Sequence, residues 1–165
     1  MGIWSGAARA CALLVLLAAC DEPGPLSAAA KGRLPPPPEP PAWSSGLRDQ
    51  VLREAFPGSF SCLGAVDLVT NRYLGGRKVV GWAWNRASGS PVARLIAVDE
   101  AERIVGFGMT GFPRPDVPQV VGEVRSDATG WEVVTWAPPR RAVRIYGVDT
   151  ERRSACEIGS IAITP

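Results

Sequence analysis

Hydrophobic and polar positions divide the chain into four textures. Residues 10–19 (ACALLVLLAA) form an uncharged apolar run. Ten residues are about half of the ~20 that span a bilayer, so this run reads as a signal-peptide core rather than a permanent transmembrane helix. Residues 20–46 show almost no periodic hydrophobicity and contain Pro35-Pro36-Pro37-Pro38-Glu39-Pro40-Pro41. Such a run favours polyproline II and predicts a stiff tether that extends up to roughly 80 Å. In the next segment, 47–58, Leu47, Val51, Leu52, Ala55 and Phe56 share one helical side. Ser45 is placed to cap a short helix there, and Pro57-Gly58 to stop it.

Beyond Gly58 the period changes. Runs rich in Val, Ile and aromatics occupy 62–70, 78–84, 92–99, 103–109, 131–137, 141–148 and 156–164, separated by turn residues such as Gly75-Gly76, Ser88-Gly89-Ser90-Pro91 and Pro138-Pro139. Seven short strands at this spacing predict an all-β fold, an antiparallel immunoglobulin-like β-sandwich over 59–165. No strand is followed by a long helical pattern, which disfavours a parallel α/β sheet.

The apolar run ends in Leu17-Ala18-Ala19-Cys20 and is preceded by Arg9. This ending resembles the lipobox of bacterial lipoproteins. The resemblance implies that residues 1–19 are removed and that Cys20 becomes a diacylglycerol-modified N-terminus. A thiol is nucleophilic enough to take a thioether lipid, and several acyl chains anchor far more firmly than one, at ~0.8 kcal/mol per buried CH₂. A competing reading cleaves after Ala28-Ala29-Ala30 and releases a soluble protein, but that site lies ten residues past the run, with Pro23 and Pro25 between. Met1-Gly2 begins a myristoylation pattern that fails at Gly6. Asp21 and Glu22 directly after the cysteine resemble an inner-membrane retention signal, so the inner membrane is the favoured expectation; the alternative is that they merely begin a polar tether.

Composition narrows the chemistry. The 165-residue chain has no histidine, which removes the commonest general base and metal ligand. Histidine-dependent hydrolases and histidine zinc sites are thereby excluded. Eighteen basic against sixteen acidic residues, without a basic run, give no reason to expect nucleic acid. Of four cysteines, Cys11 leaves with the signal segment and Cys20 is committed to lipid. Cys62 and Cys156 remain, and in an oxidising compartment they are expected to pair, the alternative being two buried thiols.

Val79-Val80-Gly81-Trp82-Ala83-Trp84-Asn85, Val105-Gly106-Phe107-Gly108 and Arg114-Pro115-Asp116-Val117 form the clearest local signature. In combination they resemble an immunoglobulin-like module of bacterial envelope proteins, also appended to some glycosyltransferases, with a GWA-W-D strand and an RPDV loop. The resemblance spans about residues 63–148 and implies an accessory domain near glycan chemistry, without catalytic residues to carry over. It departs at Asn85, where the pattern has Asp.

Trp82 and Trp84 share a strand face, as sugar-stacking pairs do and as core residues also do. Trp131 and Trp136, five apart, are expected on opposite faces. Arg114-Pro115-Asp116 reads as a rigid turn, with Asp116 capping the backbone and Arg114 answering its charge. Asp67, Asp99, Asp116, Glu132 and Asp149 are the carboxylates from which a glycosidase would need a pair ~5–9 Å apart. Arg140-Arg141, Arg144 and Arg152-Arg153 could face an anionic surface or form a solvated sheet edge. The expectation is a non-catalytic binding or scaffolding lipoprotein facing the periplasm, with no cofactor and no metal. Its partners are the bilayer, through acylated Cys20, and an envelope protein or glycan. The alternatives are a carbohydrate-binding module using Trp82 and Trp84, or a small glycan hydrolase.

Overall fold

The computed structural model describes residues 33–163; Cys20, the signal segment and the first part of the tether lie outside the described residues. Seven long strands fall on the seven alternating runs. They are β2 (Cys62–Tyr73), β3 (Gly76–Asn85), β5 (Arg94–Val98), β6 (Ile104–Phe112), β7 (Gly130–Thr135), β8 (Ala142–Asp149) and β9 (Ser154–Ala162). Two-residue strands β1 (Gly58–Ser59) and β4 (Ser90–Pro91) complete the set. All pairings are antiparallel except β1 on β9.

The hydrogen-bonded order is β1-β9-β8-β5-β6-β7-β3-β2, with β4 on β3. The two layers that the strand pattern predicts are the two halves of this one curled sheet. Its ends meet where Cys62 of β2 and Cys156 of β9 form a disulfide, with Cα atoms 6.1 Å apart. Compartment reasoning from the sequence arrives at that same pair.

Curling buries the concave face. Val79, Ala83, Leu95, Ala97, Trp131, Val133, Val143, Ile145 and Ile163 form the inner core. Tight curvature needs small residues at chosen points. At Gly81 a Cβ would run into the Trp131 ring and the Ala65 carbonyl, so the indole occupies the space that the glycine leaves. Trp131 is 1% exposed, whereas Trp136 belongs to the convex face, as their odd spacing requires.

The convex face carries two covers. Residues 42–56 lie over β5, β6 and β8, burying Leu52, Ala55 and Phe56 against Ile96, Val98, Ile104, Phe107, Tyr146 and Val148. The loop between β6 and β7 lies over β2 and β3, where Val117 and Val124 cover Trp84.

The first cover departs from the expected helix over 47–56. Only one turn, α1 (Leu52–Ala55), is helical, after a 3-10 turn at Ala42–Ser44. Asp49 takes a φ of 64°, which breaks the helical path. Segment 49–52 instead pairs with the β5–β6 hairpin: Asp49 N–H donates to Ile104 O at 3.0 Å, Ile104 N–H to Gln50 O at 2.9 Å and Leu52 N–H to Glu102 O at 2.8 Å. Long-range backbone bonds replaced local ones while the same apolar residues stayed buried. Ser45 follows the 3-10 turn and caps no helix.

The tether is also shorter than the sequence suggests. From Arg33 onward the chain belongs to the compact domain. Leu74 N–H donates to Pro35 O at 2.8 Å, and Pro37 lies against Gly76. Polyproline II leaves its carbonyls free, and here one of them is taken by the β2–β3 turn.

Candidate functional site

Arg114 organises the second cover. Asp67 sits at a break in the β2–β3 register, between the pairs Val66–Gly81 and Leu68–Val80. This local bulge is where the Asp67 carboxylate meets Arg114. The same guanidinium grips Asp116 through two hydrogen bonds of 2.9 and 2.8 Å, while the Arg114 N–H donates to Asp127 O. The Asp116 bond and then the Asp67 pair raise the Arg114 pKa, and the Asp116 carboxyl is held below its ordinary value by Arg114. Arg114 is thus neutralised twice over and offers no anion site. Asp116 occupies the N-cap position of α2 (Val117–Val120), but its side chain makes no capping bond because Arg114 claims it. A second clamp, Arg86 to Glu123 at 2.8 and 3.0 Å, holds the far side of the loop.

That cover decides the tryptophan pair. Trp84 is 4% exposed beneath Val117 and Val124, and Trp82 is half-buried beside it. A stacking platform needs an open ring face, so Trp82 and Trp84 do not form one. They share a face as expected, and the loop fills it. Asn85, where the resembled pattern has Asp, accepts the N–H groups of Ala87 and Ser88 at 2.9 and 3.2 Å through Oδ1. The turn asks only for an acceptor, which an amide supplies as well as a carboxylate.

The remaining carboxylates have structural partners. Asp99 accepts the N–H groups of Ala101 and Arg103 in the β5–β6 turn. Asp149 accepts those of Glu151 and Arg152, and with the Arg152 side chain these bonds lower its pKa. Glu132 pairs with Lys78 across the convex face. Most of the paired basics are engaged too: Arg141 with Glu100, Arg144 with Glu102, Arg152 with Asp149, and Arg153 with the Ala55 and Glu54 carbonyls at the end of α1, while Arg140 has no ion-pair partner among the described residues. Among the described residues no cluster of His, Cys, Asp or Glu is arranged to hold a metal, and no helix is long and apolar enough to cross a membrane.

Between the two covers a strip of the convex face stays open. A groove of about 230 Å³ runs there, walled by Pro38, Pro40 and Pro41 on one side and by Tyr73, Phe107, Met109, Phe112, Val134 and Trp136 elsewhere, with Glu132 at its edge. Trp43, Phe107 and Trp136 form an edge-to-face series with 5.9 Å between ring centroids, and Arg48 lies 4.6 Å above Trp136. Met109 is 50% exposed and Phe112 45%. The groove's aromatic walls are already locked by their neighbours. A second depression of about 290 Å³, between Asn85, Arg94, Asp149 and Arg152, is lined by polar groups that already have partners.

Sequence reasoning named Phe107, Trp136 and Glu132 for other reasons and passed over Tyr73, Met109 and Phe112. The available signal was Gly106-Phe107-Gly108-Met109, in which alternation puts both glycines on the concave face and both large side chains outside.

Comparison with family models, curated proteins and solved structures gives no match. The likeness to lipoproteins and to an envelope module therefore rests on the motif residues alone.

Proposed function

We propose that this chain is a lipid-anchored protein of the bacterial envelope whose β-domain binds a partner protein without chemistry of its own. The anchor half of the reading rests on Leu17-Ala18-Ala19-Cys20 after an apolar run too short to span a bilayer. The Cys62–Cys156 bridge supports it, since such bonds persist in oxidising compartments.

The single observation that carries the binding half is the open groove between the covers. Half-exposed Met109 and Phe112 on a preformed aromatic wall are the composition of a recognition surface. Every candidate catalytic carboxylate is spent on a turn or an ion pair. The groove is the surface with no such internal use.

Two measurements test this. Radiolabelled palmitate enters the wild-type chain in bacteria and not Cys20→Ser. A photo-crosslinking residue placed at Met109 in living cells joins the protein to a discrete envelope protein, while the same residue at Val120, 82% exposed on α2, does not. A mature form that begins near residue 31 and is free in the medium refutes the anchor. Equal crosslinking from both positions refutes the groove. Quenching of Trp136 by envelope glycans, without protein crosslinks, moves the partner to a carbohydrate.

A further inference from the structure

The turn between β2 and β3 is the end of the longest strand, twelve residues from Cys62 to Tyr73, and it projects Leu74 and Gly75 into solvent. Leu74 is 60% exposed, and Gly75, with φ of 73°, has nothing near its Cβ direction. The bond from Leu74 N–H to Pro35 O brings the start of the proline segment to this same point. Leu34, 41% exposed, and Arg33 therefore sit beside Leu74, with Arg72 one residue before Tyr73.

The charge there is one-sided. Positions 33–38 and 70–81 hold Arg33, Arg72, Arg77 and Lys78 and no acidic residue, with Glu39 next along the chain, in a protein whose net charge is only +2. Lys78 is answered by Glu132, but among the described residues no carboxylate lies within ion-pair distance of Arg33 or Arg72. The tip thus combines two exposed leucines, Leu34 and Leu74, with two exposed cations, Arg33 and Arg72, that no carboxylate answers.

We infer that this tip docks on an anionic lipid bilayer. The inference rests on the proposed anchor at Cys20, because the chain enters the described domain at this very tip. Twelve residues separate Cys20 from Arg33 and reach at most ~45 Å even when extended. The tip is thus the point at which the tether enters the domain, within reach of the membrane. Cations there meet the headgroup phosphates while Leu34 and Leu74 enter the interface, and each basic residue near such a surface multiplies binding about fivefold. Docked this way, the domain stands on end, with the long β2 strand leading away from the lipid.

The test uses residues 20–165 with Cys20→Ser, which retain every described element and the disulfide, checked by circular dichroism and thiol titration. Sedimentation with phosphatidylcholine vesicles containing or lacking phosphatidylglycerol reads binding without the acyl anchor. The expected result is binding to the anionic vesicles alone, weakened at least about tenfold by Arg33→Glu with Arg72→Glu, and several-fold by Leu74→Asp. No binding, or binding that these substitutions leave unchanged, overturns the inference. So does loss on arginine substitution with no effect of Leu74→Asp and equal capture by heparin, which assigns the tip to a soluble polyanion. Acylation of Cys20, measured separately by mass, can succeed or fail independently of each of these outcomes.

Discussion

The two covers on the convex face solve one problem by opposite means. Residues 42–56 hold β5, β6 and β8 with buried apolar side chains, Phe56 at 5% exposure, and with backbone bonds to the β5–β6 hairpin. The loop over β2 and β3 buries only a few valines on Trp84, makes one backbone bond to β3 from Ala83 N–H to Thr129 O, and is further pinned by Arg114 and Arg86 to acidic partners. Apolar burial is insensitive to salt and to mild acid, whereas half-exposed ion pairs are sensitive to both. A single sheet therefore carries one firm lid and one conditional lid, with the open groove between them.

The largest effect should strike both covers alike. The Cys62–Cys156 bridge spans a sequence separation of 94, and a loop of this length stabilises by roughly 4–5 kcal/mol on the chain-entropy view. Cys62→Ser with Cys156→Ser should lower the urea midpoint accordingly and loosen the closure beneath both covers. Next, Phe56→Ala should cost about 3–4 kcal/mol, because it empties a site closed by Ile96, Ile104 and Tyr146. Urea unfolding should show that loss undiminished in 1 M salt.

Arg114→Ala should cost only about 1 kcal/mol, since the side chain is a quarter exposed and each of its pairs is screened. Its signature is local: tryptophan emission should shift red as the loop lifts from Trp84, and salt should produce part of that shift in the wild type. A red shift from Phe56→Ala that outgrew this one would erase the distinction between the covers.

Acid gives a fourth measurement. The Asp116 and Asp149 carboxyls are held below their ordinary value of 3.8 in the folded chain, so the unfolded chain binds more protons as pH falls. Their stabilisation is present above pH ~4 and is lost as pH drops through the lowered folded values. A melting series from pH 5 to pH 2 should therefore decline, and Arg114→Ala should shallow the decline. Tyr146 works in the other direction. Burial and its hydrogen bond to Glu157 raise its pKa, so its contribution holds below pH 10 and fades as pH climbs through the raised value. Smallest of all, Met109→Ser should change stability by no more than about 0.5 kcal/mol, being half exposed, and yet abolish co-purification of the envelope protein that a photo-crosslinker at position 109 captures.

Much of this architecture could be read along the chain. Strand positions were legible because alternation is a local property, and β2, β3, β7 and β8 lie within a few residues of their runs. The bridge was legible by elimination among four cysteines. Arg114-Pro115-Asp116 reads correctly as a turn in which Arg114 answers Asp116, but Asp116 caps no backbone, and Asp67, 47 residues upstream, is the partner that fastens the turn to the sheet. The helix over 47–56 was misread because its apolar spacing suits either a helix or a strand-like lid, and only the β5–β6 hairpin supplies the bonds that choose.

What the sequence alone determined is the material: which stretches alternate, which residues are small, and where the cysteines stand. What tertiary structure decided is which faces stay open. Trp82 and Trp84 look like a platform until a loop thirty residues away lies over them, and the proline run looks like a free spacer until Leu74 binds Pro35. Both outcomes depend on contacts between distant segments, whose cost in chain entropy and gain in burial no local pattern records.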